Sequence, residues 1–246
     1  MHKALRFKLK YIDLFKKDKI EFNKISEDIL GFGSLVSYSQ EVMALNKAKI
    51  IVLCSNYKNF KVEDYKLEKC EIKLYEKIDE IPYIARMELD GFITQKTPVT
   101  QSNFVSTVIS MATFSANFDS DFDTDSKEYI KYKKSILEMD IFNCLKLVSM
   151  ILKDVEDSKK MWNRLFEDVS HDDEDFANAG GGRLSKFSII RELKQTCESF
   201  NVNYSQSWQL PFSVHKTNSL EISTRDAVQR DLTIIKERKF KNRRGR

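Results

Sequence analysis

With 246 residues, 41% hydrophobic and 11% aromatic, the chain can bury a real core as one large domain or two small ones. Its longest apolar run, "IIVLC" at 50–54, falls far short of the roughly 20 residues of a membrane span, and charges recurring through residues 1–30 leave no secretory leader to expect. The formal charge of +4 is uneven, because from Lys236 to Arg246 seven basic residues stand against Glu237 alone, so a slightly acidic body carries a basic C-terminal tail.

"LRFKLKY" at 5–11 sets Leu5, Phe7, Leu9 and Tyr11 against Arg6, Lys8 and Lys10, which predicts a half-buried strand with a cationic outer face. "KIEFNKI" at 19–25 is a poorer strand. "SYSQEVMALNKA" at 37–48 reads as a short helix, followed by a buried strand over "KIIVLC". "KCEIKLYE" sets Cys70, Ile72 and Leu74 against Glu71, Lys73 and Tyr75. "YIARMELDGFIT" sets Ala85, Met87 and Leu89 against Arg86, Glu88 and Asp90. These two runs flank the turn-like "KIDEIP" and predict an antiparallel pair, with Pro82 at a strand's edge or start.

After Pro98 the period becomes helical. Thr100 or Ser102 caps a helix through about residue 116, with Phe104, Val108 and Met111 on one face. "DSDFDTDS" breaks it. A long helix over roughly 126–154 follows, striped by Ile130, Leu137, Ile141, Leu145, Val148 and Leu152, with Phe142 and Ile151 widening the stripe. "KKMWNRLFEDV" is a short helix, and Phe187, Ile190, Leu193, Cys197 and Phe200 mark another. A last helix runs over about 218–238, beyond which the tail frays. Strands first and helices after predict an α+β fold: an N-terminal antiparallel β-sheet region over 1–98, a helical C-terminal half over 99–238 and a basic tail over 239–246.

Chemistry-bearing motifs are few. Asp119, Asp121, Asp123 and Asp125 have the first spacings of a calcium loop, but Thr124 and Ile130 stand where its glycine and bidentate glutamate belong, so no metal site is expected. Gly180, Gly181 and Gly182 precede Arg183 and a helix, yet no Walker or dinucleotide pattern surrounds them. Six carboxylates between Glu167 and Asp175 would repel a phosphate. The glycines read as a hinge. Of the three histidines, His2 is terminal, His171 sits among carboxylates and His215 reads as a partly exposed helix-end residue. No catalytic signature and no cofactor motif occurs. Cys54, Cys70, Cys144 and Cys197 are far apart in apolar contexts, as free thiols of a reducing, cytoplasmic compartment would be.

The stretch 187–216, "FSIIRELKQTCESFNVNYSQSWQLPFSVHK", joins an amphipathic helix to a polar-aromatic step, then Trp208 and Leu210-Pro211-Phe212. It resembles a segment of the tail-assembly (tape-measure) chaperones of tailed phages. That resemblance implies a non-enzymatic assembly factor that binds another viral protein, with Tyr204, Trp208, Leu210 and Phe212 as partner-binding candidates. The leading expectation is therefore a protein-interaction factor of phage or virus assembly or structure, with no cofactor and no membrane partner. The alternative is a nucleic-acid-binding accessory protein, acting through Arg238, Lys239, Lys241, Arg243, Arg244 and Arg246; the same cations suit an acidic protein. An enzyme using dispersed carboxylates or a metal is the third reading.

Overall fold

The computed structural model of the chain describes residues 8–14, 61, 72–95, 99–167 and 187–244. Among them are seven α-helices: α1 (Tyr83–Thr94), α2 (Gln101–Asn117), α3 (Lys127–Leu137), α4 (Ile141–Glu167), α5 (Ser188–Phe200), α6 (Tyr204–Gln209) and α7 (Phe212–Arg244). Leu9–Leu14 and Ile78–Glu80 form 3-10 turns. No sheet occurs among the described residues, only isolated bridges between Lys8 and Asp140 and between Pro82 and Pro211. The α+β expectation is thus overturned, and the described chain is all-α.

Three particulars carry that correction. The alternating run at 83–94 is helix α1, because Tyr83, Ala85, Arg86 and Leu89, all fully buried, also fit helical spacing. Its Ala, Arg, Met, Glu and Leu residues are strong helix formers. Arg86, assigned by alternation to an outer face, is fully buried. The run at 5–11 is a 3-10 turn from Leu9 onward, with Leu9 and Ile12 both fully buried. Residues 72–75 form no strand among the described residues. Instead the Asn117 side chain accepts from Lys73 N and donates to Lys73 O, each at 3.0 Å, as a neighbouring strand would. The runs expected at 19–25, 37–48 and 49–54 lie outside the described residues.

The chain divides into two compact units, Met1–Leu74 with Glu88–Lys153, and Tyr75–Met87 with Asp154–Arg246. In the first, Thr100 caps α2 through a bond from Asn103 N. The helix buries Val105, Val108, Ile109, Ala112 and Phe114. Two hydroxyl pairs join α2 to α3, Ser110 with Tyr129 and Thr113 with Tyr132, each at 2.8 Å. Burial pushes the Tyr129 phenol up to about 12, against the Ser110 hydrogen bond, with nearby Glu88 adding to the rise. The expected helix over 126–154 is two helices. Asp140 ends the first by capping α4, accepting from Phe142 N (3.0 Å) and Asn143 N (3.1 Å). α4 then runs to Glu167, absorbing the helix expected at 159–169. Its buried stripe is Ile141, Cys144, Val148, Ile151 and Val155, and α3 turns Tyr129, Tyr132 and Ile136 inward while Ile130 is exposed.

Candidate interaction surface

The second unit is built around the join between α5, α6 and α7. α5 ends at Asn201, whose left-handed φ of 53° suits an asparagine. Asn203 and Gln206 then form a capping box for α6, Asn203 Oδ1 accepting from Gln206 N (2.9 Å) and Gln206 Oε1 from Asn203 N (3.1 Å). Leu210 and Pro211 stop α6. There the backbone is clamped: Tyr83 N donates to Leu210 O (2.8 Å) and Phe212 N to Ile81 O (2.9 Å).

This clamp places four aromatic rings together. Tyr83 lies 5.6 Å from Trp208, 5.9 Å from Phe212 and 4.1 Å from His215, measured between centroids. Phe212 is buried, with the Arg86 guanidinium 4.8 Å and the Lys216 ammonium 5.2 Å from its ring centroid. The Tyr83 hydroxyl donates to Glu192 Oε2 at 2.6 Å. Lys216 (3.0 Å) and Ser219 (3.3 Å) also donate to Glu192. Burial, then the Glu192 charge, drives the Tyr83 phenol far above its usual range.

His215 is fully buried, not a partly exposed helix end. Its Nε2 lies 2.8 Å from Ser207 O and its Nδ1 3.0 Å from Thr196 Oγ1. Burial lowers its pKa, although the Ser207 bond opposes this. The neutral ring therefore donates from Nε2 and accepts at Nδ1. Fully buried Arg86 pairs with Asp79 at 3.0 Å and also donates to Val155 O and Ser158 Oγ, both at 3.3 Å. Trp162 Nε1 donates to the other Asp79 oxygen at 3.0 Å. Each of these polar groups is engaged by protein, as the low-dielectric interior requires. The network locks helices together.

Of the candidates read from the sequence, Phe212 is core, Trp208 is half-buried against its cluster, Leu210 is half-buried, and Tyr204 is exposed. Arg238 and Lys239 are exposed on α7. The helix, expected to fray at 238, continues through Lys241, Arg243 and Arg244. Arg246, the hinge glycines Gly180, Gly181 and Gly182, and His2 and His171 lie outside the described residues. Cys144 is a buried thiol facing Ile136 O and Cys197 a half-buried one. The Asp119–Asp125 carboxylates belong to a turn in which Asp123 Oδ1 accepts from Asp125 N at 2.9 Å. Among the described residues no helix is long and apolar enough to cross a membrane.

Two apolar surfaces went unread in the sequence. On α5 the buried side chains are Glu192, Leu193 and Thr196, so Phe187 and Ile190 of the expected core stripe face outward, 49% and 57% exposed. On α7 every side chain from Val228 to Phe240 is exposed. Val228, Leu232 and Ile235 recur there at i, i+4 and i+7, a spacing that places them on one face, and Lys239 continues their line. That spacing was visible between the charges, but a helix expected to pack along its whole length gave no reason to call it a surface. Comparison with protein-family models, with curated proteins and with solved structures finds no match for this chain.

Proposed function

We propose that the chain is a non-enzymatic interaction factor of viral or phage assembly, which docks a protein partner along α7. The observation that carries this reading is the stripe Val228, Leu232 and Ile235, which lies in the open on a 33-residue helix about 50 Å long. A helix normally draws its stability from packing an apolar face, and exposed apolar surface rimmed by charge marks contact sites. Lys236, Arg238 and Lys239 follow the stripe, so the partner fitting it offers an apolar groove with an acidic rim. The resemblance of 187–216 to tail-assembly chaperones points the same way.

The test is chemical cross-linking of the native complex with residue-level readout. Wild-type protein is expected to cross-link one partner through Lys236 and Lys239, and Leu232→Glu with Ile235→Glu to lose those links while the fold is kept. Identical links in the variant would refute the docking face. The nucleic-acid alternative rests on the basic helix end. It requires the deletion 237–246, but not the Leu232→Glu/Ile235→Glu pair, to abolish DNA or RNA retention. About six duplex phosphate contacts would give a log-log salt slope near −5.

A further inference from the structure

We infer that the first unit binds a small hydroxylated organic anion, a carboxylate or phosphate monoester, in the cavity between α2, α3 and Glu88. The cavity measures about 480 Å³, within the range of small-molecule sites. One wall is the start of α2, with Asn103 and Ser106. The opposite wall is α3, with Lys133 and Lys134. Glu88 and Thr124 lie on the remaining side. Met111, Ile130 and Leu137 supply apolar lining, so the site has an apolar body with a few polar groups.

The polar groups define the ligand. Lys133 is half-buried, and among the described residues neither it nor Lys134 has an ion-pair partner. A half-buried ammonium without a counter-charge is costly, and burial holds the Lys133 amine below its ordinary pKa. An anion placed against α3 supplies the missing charge. Across the cavity, burial and then the charges of Asp123 and Asp125 raise the Glu88 carboxyl above the usual range, against a hydrogen bond with Thr124. A ligand hydroxyl donating to Glu88 stabilises the carboxylate that its surroundings disfavour. The two lysines stand together on the α3 wall, where the anionic end of the ligand pairs with them, while Glu88, with the Asp123 and Asp125 charges acting on it, favours an uncharged hydroxyl on its side. A purely apolar ligand would leave the half-buried Lys133 and Glu88 unmatched.

The site is independent of the α7 surface. It is tested on the full chain with glycerol 3-phosphate, glycerate and inorganic phosphate as probes, by calorimetry and thermal shift. At least one hydroxylated probe is expected to bind wild type below about 1 mM, a gain of about 2.7 kcal/mol when present at 100 times its Kd. Glycerate against glycerol 3-phosphate separates the carboxylate from the phosphate source. Lys133→Met is expected to weaken the bound probe at least tenfold. Lys134→Gln, at an exposed position that folding does not need, is expected to weaken it several-fold. Glu88→Gln is expected to reduce the advantage of glycerol 3-phosphate over inorganic phosphate. The inference is overturned if no probe binds, or if both lysine variants bind as wild type does.

Discussion

Arg86 and Asp79 offer the sharpest energetic test of the fold. Arg86 is fully buried and forms a 3.0 Å ion pair with Asp79. In Arg86→Met the aspartate loses its counter-charge while Ser158 and Trp162 still bond to it. Breaking one side of a buried pair costs about 3–5 kcal/mol, and losing the cation above Phe212 adds to that. Replacing both partners, Asp79→Leu with Arg86→Met, removes the stranded charge. The double variant is therefore expected to be no less stable than Arg86→Met alone, a coupling of at least about 2 kcal/mol. The two tryptophans, Trp162 and Trp208, both belong to the second unit. Their fluorescence during urea unfolding thus follows that unit. At about 2 kcal/mol per molar urea, Arg86→Met should lower the midpoint by about 2 M. A midpoint within about 0.3 M of wild type, or strictly additive single and double variants, would refute the reasoning.

Further outcomes follow from the same unit and from α2. His215 has its pKa lowered in the fold, so the unfolded chain binds a proton near pH 6.5 that the buried ring refuses. Its contribution is complete above that pH and falls as the solution is acidified; His215→Gln should flatten the stability slope between pH 7 and 5, and an unchanged slope would exclude this residue as its source. Phe212→Ala should cost about 3–5 kcal/mol in the same tryptophan-monitored titration, because it empties the centre of the ring cluster. Asn203→Ala should cost about 1 kcal/mol by opening the capping box, and Asn203→Ser should recover most of it. Thr100→Ala should lower the thermal midpoint of the first unit through a loss of about 1 kcal/mol at the α2 cap.

The helical half was legible where caps and period agreed. Thr100, the break at "DSDFDTDS" and the α5 start all fall close to where the sequence places them. Two kinds of error account for the rest. A period of two and a period of 3.6 share members over short runs, so Ala85, Met87 and Leu89 fitted a strand as well as a helix. The deciding fact, that Arg86 faces inward, depends on Asp79 and Ser158 being nearby. The other error treated polar residues as outward by default. Glu192, Thr196 and His215 are inside because each finds partners from a neighbouring helix, and that rotation is what leaves Phe187 and Ile190 outside. The candidate cavity was equally hidden, since Glu88 and Lys133 are distant in sequence and belong to runs read as ordinary charged faces.

The clamp between Tyr83 and Leu210 also has a temporal meaning. The second unit takes Tyr75–Met87 from early in the chain and everything else from Asp154 onward. Tyr83 reaches Glu192 across 109 intervening steps of sequence. During synthesis, at about 5–20 residues per second, the segment carrying Tyr83 and Arg86 emerges several seconds before Glu192 and Phe212 exist to receive it. Arg86 must therefore wait in water, paired at most with Asp79 next door. The first unit also joins an early segment to a later one, Leu9 N donating to Met139 O, but everything it needs has been translated by Lys153. The ribosome thus imposes an order of assembly on the chain: the unit holding the cavity can consolidate while its neighbour is still half-made. α7, translated after the other described helices of the second unit, closes that unit with its first turn and carries its exposed stripe beyond the closure.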